Sequence, residues 1–500
     1  MALLAVAWML AVAVLLVAAW HRVPWTDEGN FAQPSFHLAW NGKFATPTAD
    51  PSAQGLLRAD QRTYWILPLH SFLLAGWYRV FPTTIFWARV LTILMLPLLG
   101  WQTFRLARFL TGDTNVGLLA ATLLPLDYVV LYTGSWARPD VMCAVLGLTA
   151  ICAYLRWREE NLRRAVLQAA FWVTLSALTH PNAVLHIAGL TLLVLWYDRK
   201  RLTIRLLLDI AGVGVLTASP YLVYIAQDFE AFRQQFLVNA VGNDRMASSI
   251  NALTIVWREL SERYAFAYGL HSGGLLPRLK SVALVSYAAA TGFFVLSPSG
   301  RRQAKVGLVA LLCALYFCVQ CVFNQKLSVY LIHILPLYAI LVAAGTMWLW
   351  RNHRRAGVLA VVWLVTASAL QTAGMFWVAK ARSAVGGQRE AALFLTRNAG
   401  RARQIDACVS MVFALHFDAR LRDDQTLGVV TGVEPDVFVI DDFYREFFEI
   451  FGRTKPALMG RIRQRIAAYR LVYDRDGYQI YFNPNAPFFT TSSTRAGHGS

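Results

Sequence analysis

The 500-residue chain is 57% hydrophobic and 13% aromatic, carries only 15% charged residues, and has a formal net charge of +18. This composition excludes a single soluble globule, because a soluble domain needs a larger polar fraction to cover its surface. It predicts a polytopic membrane protein built from α-helices.

Eleven apolar segments predict membrane-spanning helices, since about 20 residues at helical rise cross a hydrocarbon core about 30 Å thick. The first segment has no basic leader and no convincing cleavage site, so we expect an uncleaved anchor. The stretch 66–81 is short and contains Pro68, His70 and Arg79, which favours an interfacial or re-entrant segment. The spans are expected at about 2–20, 86–104, 115–133, 139–155, 165–179, 183–197, 206–224, 281–297, 306–323, 328–350 and 356–378.

The basic residues occupy alternate short loops, which predicts the orientation of the chain. Five of these loops hold 16 Lys and Arg residues, whereas the intervening short loops hold only Arg138 and Lys326. Because basic loops are retained in the cytoplasm, we expect a cytoplasmic N-terminus and an extracytoplasmic C-terminal region. Arg22, on the outer flank of the first span, is the one local disagreement. The positive charge is explained by this distribution, so we expect no nucleic acid as a partner.

Four motifs lie on or near the predicted outer side. WTDE at 25–28 follows the first span, FWARVLTIL at 86–94 opens the second, ARPD at 137–140 forms a later turn, and KLSVY at 326–330 precedes Pro336. Any one of them could be an ordinary interfacial loop, because charged residues commonly flank membrane helices. Their occurrence together predicts one site at this membrane face.

These motifs, in this order, resemble the GT-C glycosyltransferases. The similarity is to the branch that contains protein O-mannosyltransferases, lipid A aminoarabinose transferases and related bacterial lipopolysaccharide glycosyltransferases, and it covers about residues 1–380. It implies a GT-C-like transmembrane catalytic domain that moves a sugar from a polyprenyl-phosphate carrier to an acceptor hydroxyl, with inversion, at the outer face of the inner (plasma) membrane. A lipid, a glycan or a protein would serve as the acceptor, and membrane lipids would surround the enzyme.

Asp27 stands at the family's catalytic position and is our candidate general base, because the acceptor hydroxyl must lose a proton as it attacks the anomeric carbon. Arg138 and Lys326 are expected to offset the nearby negative charge and to stabilise the departing phosphate. Arg138 and Asp140 could instead pair with each other around Pro139 as a helix-start cap. The other candidate substrate-binding residues are Glu28, Arg58, Asp140, Tyr330 and His333.

No metal or other cofactor is expected. The chain has no H-E-x-x-H, P-loop or G-x-G-x-x-G motif and no local cluster of His and Cys. The Asp-Arg-Asp sequence at 474–476 superficially resembles the metal-binding motif of nucleotide-sugar transferases. Because Gly477 follows it and apolar residues alternate on both sides, a hairpin turn is the better interpretation.

Two large outer loops and a terminal domain complete the prediction. The first loop covers residues 21–85, and Arg58 within it could supply a basic partner for the site. The second covers 225–280, where aromatic residues at helical spacing from Phe229 indicate an amphipathic interfacial helix. After Lys380 the composition changes, and alternating helical and strand patterns predict a small extracytoplasmic α/β domain over 381–500.

Two other functions compete with glycosyl transfer. A transporter or flippase of lipid-linked sugars would also be polytopic, but it should have paired broken helices and polar groups near the membrane midplane. A non-catalytic scaffold for envelope synthesis would tolerate Asp27→Asn. The concentration of polar motifs at one face favours chemistry at the membrane surface over translocation.

Overall fold

The computed structural model describes residues 2–49, 55–238, 251–381 and 385–486. Each of the eleven predicted spans corresponds to a helix or, in one case, to a bent pair of helices. The set comprises Ala2–His21, Ile85–Thr111, Thr114–Leu123 with Tyr128–Gly134, Asp140–Trp157, Leu162–Ala177, Ala183–Asp198, Ile204–Ala226, Val282–Leu296, Ala304–Val322, Leu335–Asn352 and Arg354–Ala381.

Seven of the described helices are long and apolar enough to cross a membrane, and the bent pair would make eight. The remaining three, Leu162–Ala177, Ala183–Asp198 and Leu335–Asn352, fall short of that combined length and apolarity. They still pack within the bundle, where Leu185, Leu193 and many side chains of Leu335–Asn352 are buried. The polytopic α-helical fold class is therefore confirmed.

The bent pair changes direction by 62° at Asp127. The carboxylate of Asp127 caps the helix Tyr128–Gly134 by accepting hydrogen bonds from the amides of Val129 and Val130 at 2.8 and 3.2 Å. A carboxylate favours this position because the first amides of a helix have no partner within the helix. Its second oxygen accepts hydrogen bonds from the hydroxyls of Tyr268 and Tyr287. Hydrogen bonds thus connect the bend at Asp127 to the second large loop, through Tyr268, and to the helix that follows that loop, through Tyr287.

Several connecting segments meet at one end of the bundle, which we call the site face. Helices Thr26–Asn41 and Pro68–Tyr78 lie there, and the Leu69 amide donates to the Leu178 carbonyl at 3.0 Å. Pro68–Tyr78 is 11 residues long, too short to cross about 30 Å of hydrocarbon. The arginine-rich loops lie at the opposite end, where Arg351 pairs with Asp113 at 2.6 Å.

The second large loop packs over the first. Helix Phe229–Phe232 continues as a π-helical segment, Arg233–Val238, so the predicted interfacial helix is present but changes its pitch. Gln235 is buried, and its side chain accepts from the Tyr64 amide and donates to the carbonyls of Leu57 and Arg62. This amide fixes the two loops against each other.

The C-terminal region forms a small α/β domain, as predicted. Its five strands have the order β2-β1-β3-β5-β4, in which β1 (Ile405–Asp406) pairs in parallel with β2 (Leu421–Arg422) and β3 (Val437–Ile440). The last two strands, β4 (Arg470–Arg475) and β5 (Tyr478–Phe482), form an antiparallel hairpin.

The turn of this hairpin settles the interpretation of the Asp-Arg-Asp sequence. Asp476 and Gly477 both have positive φ values, 50° and 83°. Two consecutive residues of this kind form the tight turn that matches the twist of a two-stranded ribbon. The predicted hairpin turn is confirmed.

The α/β domain rests directly on helix Thr26–Asn41. The rings of Phe36 and Phe417 stack with centroids 4.1 Å apart. Gly29 packs so closely against the domain that a Cβ built on it would lie 2.3 Å from the Val409 carbonyl oxygen. The helix that carries Asp27 is consequently held between the membrane bundle and the C-terminal domain.

A buried ion pair anchors the start of the same helix. Arg89, in Ile85–Thr111, and Glu28 are both inaccessible to solvent, and two nitrogens of Arg89 donate to the two carboxylate oxygens at 2.8 and 2.7 Å. Glu28 also accepts from the amides of Trp25 and Ala137. The remaining hydrogen bonds of Arg89 go to the backbone carbonyls of Ala19, Arg22 and Val23. One ion pair therefore joins the end of the first span, the first outer loop, the second span and the ARPD turn.

We expect Glu28→Gln to destabilise the protein by about 3–5 kcal/mol, because it leaves the Arg89 charge buried without a counter-charge. The measurement is thermal unfolding of the purified protein in detergent. Glu446→Gln, an exposed position in the C-terminal domain, is the matched control and should unfold like the wild type. Equal melting temperatures for Glu28→Gln and the wild type would contradict this role for the ion pair.

A buried carboxyl makes the C-terminal domain sensitive to pH. Burial raises the pKa of Asp423 to about 7, the Tyr444 hydroxyl and the Val409 amide partly oppose the shift, and the charges of Asp441 and Asp424 add to it. An unfolded Asp titrates near pH 4. The folded domain therefore retains a proton that the unfolded chain releases, and the resulting stabilisation is complete below about pH 4 and lost as the pH rises through about 7.

We expect the stability of this domain to fall by about 1.4 kcal/mol per pH unit inside that window. Asp423→Asn, which cannot ionise, should flatten the dependence in scanning calorimetry between pH 5 and pH 8. Asp474→Asn, at an exposed position on β4, should leave the slope unchanged. Equally steep curves for Asp423→Asn and the wild type would refute the assignment.

Candidate functional site

The predicted base and its predicted cation are in direct contact at the site face. Asp27 lies in the first turn of helix Thr26–Asn41, and its carboxylate forms an ion pair with the guanidinium of Arg138. The Asp27 side chain is 32% exposed, whereas that of Arg138 is 2% exposed. Asp27 is therefore open to an approaching molecule while its partner is held inside the protein.

Arg138 is enclosed by carboxylates and aromatic rings. Its Nε donates to Asp140 at 2.8 Å, so the predicted pairing of these two residues is present together with the pairing to Asp27. The rings of Trp25 and Phe31 lie 4.7 and 5.4 Å from the guanidinium carbon. Burial opposes the charge, but Asp140 and Asp27 outweigh it and hold the pKa of Arg138 above its ordinary value. The guanidinium is thus a permanent cation beside Asp27.

The two aromatic residues that flank Asp27 and Glu28 in the sequence have a structural role here. Trp25 and Phe31 lie on both sides of the carboxylate pair along the chain, and their ring faces attract the Arg138 cation. They also shield Arg138 from water, which strengthens its interaction with carboxylates.

Asp140 connects the pair to residues of three other segments. His180 Nε2 lies 4.0 Å from Asp140 Oδ1, and the rings of His180 and Tyr330 have centroids 5.6 Å apart. Tyr330 in turn lies 5.9 Å from the guanidinium carbon of Arg263, a residue of the second large loop. Asp140 and Tyr330, both predicted site residues, are therefore part of one continuous set of contacts with Asp27.

Lys326 lies at the opposite end of this series of contacts from Asp27. This position corrects its predicted role of offsetting the negative charge beside Asp27. Its ammonium pairs with Glu259 at 2.8 Å and donates to the carbonyls of Gln320 and Cys321. Glu259 also pairs with Arg263 at 3.0 Å, and all three charged side chains are buried. In the described part of the chain Lys326 is thus neutralised by Glu259 rather than by Asp27, and it fastens the second large loop to segment 323–334.

Three other candidates already have partners within the protein. Glu28 is fully buried, and its carboxylate pairs with Arg89. Arg58 is half exposed and pairs with Asp228 of the second large loop at 2.9 Å. His333 is buried in the bundle, where its Nδ1 lies 3.1 Å from Nε2 of His186. Each of these side chains is committed to a partner within the protein.

A cavity of about 1050 Å³ lies at the site face. Trp25 lines it and also contacts Arg138, so this residue connects the cavity wall to the buried cation. Its walls come from the first outer loop, helix Tyr128–Gly134, residues 266–280 and helix Arg354–Ala381, and Asp442 of the C-terminal domain reaches its edge. Its volume and its mixture of aromatic and polar walls suit an amphipathic ligand.

Two basic residues of this cavity, Arg22 and Lys280, were not among the predicted site residues. The Arg22 guanidinium is buried, with its carbon 3.5 Å from the ring centre of Trp136 and 4.4 Å from that of Tyr132. The Lys280 ammonium lies 3.8 Å from the ring centre of Tyr128. The sequence did contain an indication that Arg22 is unusual, because it is the basic residue on the outer flank of the first span that disagreed with the positive-inside rule.

The chain is similar to known proteins in both sequence and structure. Residues 67–224 match the family model described as dolichyl-phosphate-mannose-protein mannosyltransferase. An uncharacterized protein of Aquifex aeolicus is 26% identical over 151 residues, a match that spans 30% of this chain and 28% of that protein. The chain therefore covers less than a third of the length of this relative.

The structural matches extend over nearly the whole chain. ArnT from Cupriavidus metallidurans bound to undecaprenyl phosphate has a TM-score of 0.62 at 14% identity, with 97% of this chain and 98% of ArnT covered. The archaeal oligosaccharyltransferase AglB from Archaeoglobus fulgidus, in complex with an inhibitory peptide and a dolichol-phosphate, has a TM-score of 0.51 at 11% identity, with 97% and 74% covered. The chain thus has the fold of the GT-C glycosyltransferases and resembles, within residues 67–224, the dolichyl-phosphate-mannose-protein mannosyltransferases.

Proposed function

We propose that the protein is a membrane glycosyltransferase that moves a sugar from a polyprenyl-phosphate carrier to a hydroxyl of a lipid, a glycan or a protein. The observation that carries this proposal is a part-exposed carboxylate, Asp27, held by a buried guanidinium, Arg138, at the same membrane face as a large cavity that Arg22 and Trp25 line. The two structural relatives are bound to undecaprenyl phosphate and dolichol-phosphate, which supports a polyprenyl-phosphate donor. The reaction would take place at the extracytoplasmic face of the inner membrane.

Asp27 would act as the general base of this reaction. One of its oxygens takes the proton from the acceptor hydroxyl while the acceptor oxygen forms its bond to the anomeric carbon. The bond between that carbon and the donor phosphate breaks at the same time, and polyprenyl phosphate leaves with the bonding electrons. Attack from the face opposite the phosphate inverts the anomeric configuration. The sugar is transferred, and the proton remains on Asp27 until it is released to solvent.

Arg138 would position Asp27 and keep a positive charge beside it. Because Asp140 pairs with the same guanidinium from the buried side, Arg138 is held between two carboxylates and cannot rotate toward solvent without losing both. A base with a fixed orientation loses less entropy when the acceptor arrives. Asp140 therefore acts on Asp27 through Arg138.

The cavity would hold the phosphate of the donor through Arg22 and Lys280. These residues place two cations in a cavity whose other walls include Trp25, Trp136 and Trp377. Cations stabilise the negative charge that grows on a departing phosphate, while aromatic rings at headgroup depth suit the boundary between a phosphate and an isoprenoid chain. The base, Asp27, and the cations that would stabilise the departing phosphate, Arg22 and Lys280, are therefore different groups.

We expect Asp27→Asn to lower transfer by about 10²–10⁴-fold, the usual contribution of a general base. The measurement is mass spectrometry of envelope glycolipids and glycoproteins from cells that express the wild type, the variant or no copy of the protein. Asp60→Asn, at an exposed position in the same outer loop, is the matched control and should retain full activity. Complete glycosylation by Asp27→Asn would remove this residue from the mechanism.

We expect Lys280→Gln to weaken the binding of undecaprenyl phosphate by about tenfold or more, because a hydrogen bond to a charged group contributes about 1.5–3 kcal/mol. Quenching of tryptophan fluorescence in the purified protein would report this binding, since three tryptophans line the cavity. Lys43→Gln, exposed in the first outer loop, should bind as the wild type does. Unchanged affinity in Lys280→Gln would place the phosphate elsewhere.

A further inference from the structure

Three potential metal ligands from distant parts of the sequence meet beneath the site face. Cys143 lies one turn into helix Asp140–Trp157, His186 lies in the first turn of Ala183–Asp198, and His333 ends the 3₁₀ segment Ser328–His333. One thiol sulfur and one nitrogen from each imidazole lie within 4.8 Å of one another, and all three side chains are buried. This cluster is separate from the Asp27–Arg138 pair and takes no part in the proposed transfer.

The spacing of these atoms suits a tetrahedral ion. With zinc–nitrogen bonds of about 2.0–2.1 Å, two nitrogen ligands of a tetrahedral zinc lie about 3.3 Å apart. His186 Nε2 and His333 Nδ1 are 3.1 Å apart. The Cys143 sulfur lies within 4.8 Å of one nitrogen of each ring, so side-chain rotations would bring one sulfur and two nitrogens to bonding distance of one ion.

The surroundings of His186 are shaped to hold its ring in this place. A Cβ at Gly147 would lie 2.1 Å from the Cγ of His186, so the glycine makes room for the imidazole next to the helix that carries Cys143. The other ring nitrogen, Nδ1, lies 3.0 Å from the hydroxyl of Tyr316. Gly189 in turn makes room for the Tyr316 ring, because its Cβ would lie 2.8 Å from Cε1 of that ring. A hydrogen bond to the distal nitrogen is the usual way in which a metal-binding histidine is oriented.

We propose that Cys143, His186 and His333 bind one Zn²⁺ ion through a thiolate and two imidazole nitrogens. One sulfur and two nitrogens form a ligand set that zinc prefers over the hard cations magnesium and calcium. The Ser176 hydroxyl donates to the Cys143 carbonyl at 2.8 Å, which holds this turn of the helix against the neighbouring helix.

The ion would clamp three elements that also carry residues of the site face. Cys143 is one turn from Asp140, and His333 is three residues from Tyr330 in the same 3₁₀ segment. A metal bond between these elements would fix the spacing of Asp140 and Tyr330 without touching substrate. The proposal concerns metal binding alone and stands whether or not the protein transfers a sugar.

The first test measures the metal directly. Protein is purified in detergent without a polyhistidine tag and without chelators, and zinc is measured by inductively coupled plasma mass spectrometry. We expect about one zinc per chain in the wild type and a loss of most of it in Cys143→Ser. Cys313→Ser is the matched control, because Cys313 is also buried in a helix of the bundle but is not part of the cluster. It should retain zinc.

The second test identifies the ligands, first in the wild type and then in Cys143→Ser. Co²⁺ added to the metal-free wild type should produce the near-ultraviolet absorption of sulfur-to-cobalt charge transfer together with visible bands of tetrahedral cobalt. Binding of one Co²⁺ per chain with these bands supports the site. Absence of both zinc in the purified protein and charge transfer with cobalt would overturn the proposal, as would charge transfer of undiminished intensity in Cys143→Ser.

Discussion

The buried ion pair between Glu28 and Arg89 is the interaction on which the arrangement of the site depends. It lies at the point where the first span, the first outer loop, the second span and the ARPD turn meet: the second span supplies Arg89, and the hydrogen bonds of the pair reach backbone atoms of the other three. Removing two charges from water is expensive, and such a pair is tolerated only when every donor and acceptor has a partner. Here a complete set of hydrogen bonds offsets the cost of burial. The first turn of helix Thr26–Asn41 is consequently held in place.

The adjacent carboxylates Asp27 and Glu28 therefore have different roles. In a helix, consecutive side chains point about 100° apart, so the helix that turns Glu28 into the protein turns Asp27 toward its open edge. Glu28 becomes part of the framework, and Asp27 keeps one third of its side chain exposed beside Arg138. The C-terminal domain covers another side of the same helix through Gly29 and Phe36. The exposed carboxylate is in this way supported on several sides by packed structure.

The positive charges at the site face show how strongly burial controls the role of a side chain. Arg138, Arg89, Arg263 and Lys326 are all buried and each is paired with at least one carboxylate. Arg22 and Lys280 lie on the wall of the large cavity, each against an aromatic ring. Because they place positive charge inside that cavity, we assign the donor phosphate to it.

The amino-acid sequence by itself determined the features that depend on local pattern. Apolar runs predicted the helices of the bundle, alternating residues around Asp-Arg-Asp-Gly predicted the terminal hairpin, and the order of short motifs selected Asp27 and Arg138. Only the tertiary structure decided which charged groups meet, because these pairs join residues far apart in the chain: 61 positions separate Glu28 from Arg89, 111 separate Asp27 from Arg138, and 67 separate Glu259 from Lys326. The same holds for Cys143, His186 and His333, which no local motif connects. The spacing of residues along one helix or strand can be predicted from the sequence, whereas the pairing of side chains from different helices depends on how those helices pack.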